Sequence, residues 1–275
     1  MRYNIDLAFR HKPSTRVLTM ASETVTISKE TVSRLASDIR MLNRDPLHEH
    51  GIYYQHSESD LLVGRAMIMG AEGTPYEGGY YFFRLDFPYD YPHAPPKVTF
   101  LTNGADRVRM HPNLYRDGKT CLSMLNTWHG QSVGDRWTGC QTISSVLLTI
   151  SSILTTDPLL HEPGVTKQHN DFDTYTTIIE YMNIKLAMID ILSATSLPSG
   201  FEELRSIARK NTIENADKKR DLIAAATAKF KDKHATLNTT LSTYLYRNSC
   251  SINYETLLHR FDALLDACKI DSPSK

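Results

Sequence analysis

Net charge is what this chain most plainly lacks. Lys plus Arg total 31 and Asp plus Glu also total 31. A protein that grips nucleic acid through bulk electrostatics carries a basic excess, so the balance argues against a nucleic-acid partner. Long apolar runs are missing too. No stretch approaches eighteen consecutive apolar residues, so no membrane span and no membrane partner are expected. The opening segment MRYNIDLAFRHKPSTR has no apolar core of the signal-peptide kind. Cysteine is scarce: Cys121, Cys140, Cys250 and Cys268 form no CxxC pair and are too scattered for a disulfide scaffold. Reduced thiols in a cytoplasmic or nuclear protein are the expectation. No zinc-ligand cluster and no phosphate-binding glycine loop stand in the sequence, so neither a metal nor a cofactor is expected. Repeats and low-complexity tracts are also absent.

What is present is an ordinary globular composition, 41% hydrophobic and 23% charged over 275 residues. That length suits one large domain or a domain with a smaller companion. Residues 1–25 show no periodicity and read as a flexible leader. From Ser28 to Asn43, Val32, Leu35, Ile39 and Leu42 recur at three- and four-residue steps, the spacing of one helical stripe. Pro46 and Gly51 end it. DLLVGRAMIMG (60–70), GGYYFFRLDFP (78–88) and PPKVTFLT (95–102) read as strands separated by tight turns, which predicts an antiparallel meander.

Beyond them, QTISSVLLTISSILTT (141–156) reads as a buried helix with Ile143, Val146, Leu147, Ile150 and Ile153 on one face. A second stripe runs from Phe172 to Ile189, and LPSG (197–200) breaks it. A polar helix around 201–238 and a last amphipathic helix from Tyr254 to Cys268 follow, the charges of EELRSIARK and ADKKRD reading as solvated faces.

The stretch RMHPNLYRDGKTCLSML (109–125) has little regular pattern and carries the chemistry. Cys121 is either a buried structural thiol or a nucleophile. Its neighbours Arg116, Asp117, Gly118, Lys119 and Thr120 are polar, so an exposed thiol is expected, and the Lys119 charge would favour the thiolate. Asn113 has an amide that either stabilises a developing oxyanion or bonds its own loop. His111 invites a general-base reading. A papain-like hydrolase is a poor match, because no distant His/Asn pattern accompanies the cysteine.

Several motifs in fixed order then point one way. They are Gly70 with TPYEGG (74–79), FPYDYPHAPP (87–96), His111-Pro112-Asn113, Cys121-Leu122 eight residues after Asn113, and Trp137 with Thr142-Ile143-Ser144. Over roughly 28–164 the chain resembles the ubiquitin-conjugating enzyme family. Within it the likeness is to the large type Z class and to the conjugating domain of the giant inhibitor-of-apoptosis protein. Asn126-Thr127-Trp128-His129-Gly130, His161-Glu162-Pro163-Gly164 and the long helical C-terminal region carry that likeness.

The resemblance implies an α+β ubiquitin-conjugating fold: an N-terminal helix, a four-stranded antiparallel meander sheet, further helices and an added helical extension. It divides the chain into a leader (1–25), a conjugating core (26–164) and an extension packed on that core (165–275). It implies a transferase that accepts ubiquitin or a ubiquitin-like modifier as a thioester on Cys121 and passes it to a lysine amine. The implied partners are the modifier, an activating enzyme that uses the ATP, a ubiquitin ligase and a substrate lysine. The alternative is a catalytically weak ubiquitin-binding module on the same fold.

The family pattern also makes His111 a structural loop residue and Pro112 the residue that fixes the turn. It places Glu162, with His161 beside it, where an acidic residue orients the acceptor amine, against a capping or surface role. The chain departs from members that use RING or HECT ligases at His93 and at Thr138-Gly139-Cys140, which leaves ligase choice open; Cys140 reads as a spectator thiol. The loop from Asn126 to Arg136 is longer even than in type Z. His129, Gln131, Asp135 and Arg136 make it polar, suited to shield or guide substrate.

Overall fold

The computed structural model describes residues 26–104, 108–128, 136–193 and 197–270. The leader of residues 1–25 and most of the long loop, including His129, Gln131 and Asp135, lie outside the described residues.

The first helix, α1 (Lys29–Arg44), starts where a side chain can replace a missing helical acceptor. The Ser28 hydroxyl accepts from the Thr31 amide at 3.0 Å. Its apolar stripe faces the core through Leu35 and Leu42, with Val32 and Ile39 at the margin. Four strands follow: β1 (Ile52–His56), β2 (Val63–Met69), β3 (Tyr80–Asp86) and β4 (Lys97–Phe100). They pair in sequence order as an antiparallel meander, with Ile52 opposite Ile68, Met67 opposite Phe82 and Phe83 opposite Phe100. The sequence reading named β2, β3 and β4 but no segment for β1, whose IYYQH is short and mixed in polarity.

The first four residues of β3 have no solvent face. Tyr80, Tyr81, Phe82 and Phe83 are all fully buried, which is why this strand is a continuous aromatic run rather than an alternation. Tyr81, Phe83 and Leu85 point into the main core with α2 (Ile143–Ile153). Tyr80, Phe82 and Met67 form a second cluster with Ile191, Leu192, Phe201, Leu204 and Ala208. α2 begins with a reciprocal cap: the Thr142 side chain accepts from the Ser145 amide, and the Ser145 side chain accepts from the Thr142 amide. All five residues assigned to its apolar face are buried.

The second stripe of the sequence reading becomes α3 (Phe172–Met182), continued by π-helical turns over Asn183–Ile189 and a short 3-10 turn over Asp190–Leu192. Asn183 marks the change of winding. Its side-chain oxygen accepts from the Tyr81 hydroxyl at 2.6 Å, and its amide donates to the Glu77 carbonyl at 2.8 Å. A buried amide satisfied on both ends ties the helix to the sheet. Gly79 makes room for it, since a Cβ there would meet Asn183 Oδ1 at 2.0 Å.

The polar region is two helices, α4 (Glu202–Glu214) and α5 (Ala216–Lys233), broken at Asn215. Its charges are not all solvated: Lys219 is buried, donates to the Gly78 carbonyl and lies over the Tyr80 ring. Burial depresses the Lys219 ammonium to about 7. A hairpin absent from the sequence reading comes next, β5 (Asn238–Ser242) and β6 (Ser249–Asn253). The chain then closes with α6 (Leu257–Ile270), whose Leu257, Phe261 and Leu265 are buried. Ile223, Phe230, Ile252, Tyr254 and Phe261 share one hydrophobic cluster with Leu35, Ile68 and Phe83. No helix among the described residues is long and apolar enough to cross a membrane.

Candidate active site

The His-Pro-Asn segment and the cysteine are brought together by a miniature hairpin. Leu114 bridges Thr120, Tyr115 N–H donates to the Lys119 carbonyl at 2.9 Å, and Gly118 N–H donates to the Tyr115 carbonyl. The turn is an Asp-Gly pair, with the Asp117 carboxylate accepting from the Lys119 amide at 3.0 Å. Gly118 sits at φ +86°, and a Cβ there would meet the Phe100 carbonyl oxygen at 2.8 Å. Only glycine lets the hairpin dock on β4, where the Phe100 amide donates to the Gly118 carbonyl at 2.7 Å.

Docking places Asn113 and Cys121 side by side. The Cys121 amide donates to the Asn113 carbonyl at 2.8 Å, and Asn113 Nδ2 donates to the Cys121 carbonyl at 2.7 Å. The Asn113 amide therefore braces the cysteine backbone in this state, while its buried Oδ1 is unpartnered. Of the two roles open for Asn113, the local one is visible in the resting geometry.

The Cys121 thiol is not exposed as expected. Cys121 is only 3% accessible, and Sγ donates to the Thr127 carbonyl at 2.9 Å. The polarity of residues 116–120 was a misleading guide, because the thiol's cover comes from the residues after it. Thr127 is fastened by its own hydroxyl, which accepts from the Leu122 amide at 2.9 Å and donates to the Thr120 carbonyl at 2.9 Å. Asn126 turns the chain back at φ 55°, and its side chain accepts from the Trp137 amide. Lys119 leans on the Tyr115 ring, 5.4 Å from its centroid.

His111 is fully buried, and its Nδ1 accepts from the Asn113 amide at 3.0 Å. Burial holds its pKa well below the usual imidazole range; neighbouring His161 and Arg109 push the same way, and the Ile153 carbonyl opposes them. A neutral ring with Nδ1 already accepting a backbone hydrogen is a brace, as the family pattern implies. Pro112 is buried beside it. The His161 ring packs 4.8 Å from the His111 ring, and its Nε2 lies 3.1 Å from the Thr155 hydroxyl.

Glu162 is only partly exposed, and its carboxylate accepts from the Tyr246 hydroxyl, in the turn of the C-terminal hairpin. That bond gives Glu162 a specific structural partner. Sequence reasoning missed Thr127 and Tyr246. Thr127 stood in a segment read for its family likeness and its polar loop, with no role of its own, and nothing local marks Tyr246 as a partner of residue 162.

Comparison with known proteins adds an independent line. The family model described as "Ubiquitin-conjugating enzyme" matches residues 34–181, a span that takes in the site and runs through α3 almost to its end. The chain is 36% identical over 193 residues to ubiquitin-conjugating enzyme E2 Z of Danio rerio, covering 69% of this chain and 56% of that protein. It is 36% identical over 186 residues to the Homo sapiens protein of the same name, covering 67% of this chain and 50% of that one. A probable ubiquitin-conjugating enzyme of Acanthamoeba polyphaga mimivirus is 32% identical over 212 residues, covering 74% of this chain and 14% of the viral protein. Against the E2 Z proteins, the chain spans about half the length of the relatives it matches. With a family match over more than half of its residues, lying across the hairpin that joins Asn113 to Cys121, this chain belongs to the ubiquitin-conjugating enzyme family.

Proposed function

We propose that the chain accepts ubiquitin or a ubiquitin-like modifier as a thioester on Cys121 and transfers it to a lysine amine. The observation that carries this reading is the reciprocal pairing of Asn113 and Cys121 across the docked hairpin. In the first step the thiol leaves the Thr127 carbonyl and loses its proton, and the thiolate attacks the carbonyl of the modifier held by an activating enzyme. A new C–S bond forms as the carrier thiolate departs. In the second step a lysine amine attacks the Cys121 thioester, an isopeptide bond forms, the cysteine thiolate leaves and the amine gives up a proton.

Both steps pass through a tetrahedral oxyanion. A side-chain donor aimed at such an oxyanion is worth about 10²–10³ in rate. Asn113 supplies that donor if its amide turns from the Cys121 carbonyl. ATP belongs to the activating enzyme, and no cofactor is assigned to this chain. A ligase and a protein lysine complete the set of partners. Residues 26–164 act as the conjugating core and 165–275 as its packed extension.

Burial of the thiol gives the second reading, a modifier-binding module of low reactivity, one observation in its favour. A loading assay separates the two. The chain is mixed with ATP, several activating enzymes and several modifiers, and products are resolved with and without reductant. A reductant-sensitive adduct on Cys121 is expected. Binding without any such adduct overturns the enzyme reading in favour of the module.

A further inference from the structure

Among the described residues, every buried side-chain polar atom without a hydrogen-bond partner, except Gln55 Oε1, lies in one place. These atoms belong to Arg109, His111, Asn113, Arg116 and Thr120 of the active-site loop and to Asn248 beyond it. Buried polar groups are nearly always satisfied, so the concentration directs attention to how this loop is held.

Asn248 is what reaches in. It is 1% exposed and stands at the start of β6's approach, far from the loop in sequence. Its Oδ1 accepts from the Arg109 amide at 3.1 Å and from the Arg116 guanidinium at 2.8 Å. One carbonyl oxygen thus holds the residue that enters the His-Pro-Asn segment and a residue that leaves it. Tyr246 reinforces the grip. The Arg109 guanidinium lies between two rings, 3.7 Å from the centroid of Tyr115 and 4.2 Å from that of Tyr246. From that position it donates to the Pro112 carbonyl, the peptide that joins Pro112 to Asn113. The Tyr246 carbonyl accepts from Arg116, and its hydroxyl donates to Glu162. The turn that presents these groups is held in a conformation side chains avoid, with Tyr246 at φ 59° and Arg247 at φ 49°. Such backbone persists only where surrounding contacts over-determine it.

We infer that the tip of the C-terminal hairpin is a clasp that positions the active-site loop, with Asn248 and Tyr246 as positioning residues acting on Asn113 through Arg109. The inference rests on the conjugating reading of Cys121. It extends that reading by giving the C-terminal region a part in the chemistry: Asn113 can serve an oxyanion only if the loop carrying it is fixed. Displacement of a reacting group by about 1 Å costs up to about 10²-fold in rate.

The test is single-turnover discharge of the charged full-length chain to free lysine, with kcat and KM resolved. Asn248→Leu removes the shared acceptor while keeping the branched outline of the side chain, and Tyr246→Leu removes ring and hydroxyl together. Each is expected to lower kcat by about tenfold, within the range for a misplaced group, with KM unchanged. Asn248→Asp keeps the oxygen that both arginines use, and Tyr246→Phe keeps the ring over Arg109. Both are expected to restore most of the rate. Melting curves run beside them separate placement from folding. Wild-type kcat in both leucine variants overturns the inference alone. Losses that the conservative variants fail to restore, or that simply follow the folded fraction, also overturn it. A wild-type chain that never charges overturns the conjugating reading, and the clasp falls with it.

Discussion

The thiol hydrogen of Cys121 points at the carbonyl of Thr127, 2.9 Å away, so the resting thiol is capped by its own chain. Attack on an incoming carbonyl needs that cap to open. Cys140 is exposed and offers an internal standard. In native protein treated with a limiting alkylating agent, mass spectrometry is expected to find Cys140 modified first and Cys121 well behind. Thr127→Gly removes the hydroxyl that fastens the segment and is expected to accelerate labelling of Cys121 with little change at Cys140. Cys121→Ser is expected to replace a reductant-sensitive adduct with a stable ester or none. Equal labelling of the two cysteines in the native chain removes the cap, and a labile adduct on Cys121→Ser moves the nucleophile elsewhere.

Asn113→Ala separates bracing from catalysis. The substitution deletes one neutral hydrogen bond to the Cys121 carbonyl, worth about 0.5–1.5 kcal/mol, but leaves the backbone bond from the Cys121 amide intact. The variant is therefore expected to fold and to charge. Its discharge to lysine is expected to slow by about 10²–10³ if the amide serves the oxyanion. A charged Asn113→Ala chain that discharges at the normal rate leaves the side chain only its local role.

The burial of His111 predicts a direction of pH dependence. In the unfolded chain an imidazole titrates near about 6.5. In the folded chain burial holds it well below that value. As pH falls through about 6.5 the unfolded state takes up a proton that the native ring refuses, so stability declines; above that range this group contributes no slope. His161 and His56 are depressed for the same first cause, burial, and add in the same sense. Unfolding free energies from urea titrations between pH 7.5 and 5 are expected to fall with pH, by at most about 1.4 kcal/mol per unit from the buried His111. His111→Asn keeps an acceptor for the Asn113 amide without the titration, and its profile is expected to be flatter. An unchanged slope in that variant assigns the acid sensitivity to other groups.

How much of this was legible in the sequence depended on whether the cause was local. The α1 and α2 stripes are short-range patterns, and each appears where its spacing puts it. The order of motifs around Asn113 and Cys121 was readable for the same reason. What was not readable depends on distant partners. β3 shows an aromatic run whose second buried face is explained only by Phe201 and Leu204, more than a hundred residues on. The π-helical turns begin at Asn183, whose side chain is bound by Tyr81 and Glu77, residues about a hundred positions earlier. The β5–β6 hairpin carries no Asn-Gly or Asp-Gly signal; its turn uses Tyr246 and Arg247 at positive φ, a choice that makes sense only against Arg109 and Glu162. The exposure of Cys121 failed as an expectation because local polarity says nothing about a carbonyl six residues later.

Removal of residues 165–275 tests how far the rest of the chain depends on them. Tyr80 and Phe82 are fully buried on the side of the sheet covered by Phe201, Leu204 and Ala208, and the Phe82 and Phe201 rings meet edge to face with centroids 6.0 Å apart. The main cluster would also lose Tyr175, Ile178, Ile179, Phe261 and their neighbours. A fully buried Leu or Phe contributes about 1.5–3 kcal/mol relative to exposure, so removing a dozen exceeds the net stability of a typical domain. The 1–164 chain is therefore expected to be aggregated or loosely packed, binding a hydrophobic dye and showing no cooperative melt, while the full chain melts sharply. Phe201→Ala offers a milder version in the intact chain, with an expected loss of about 3–5 kcal/mol by urea unfolding. Loading by each activating enzyme that charges the full chain supplies a second readout. If 1–164 melts at the temperature of the full chain and loads with every activating enzyme that charges the full chain, the two parts are independent and the apolar contacts between them carry no stability.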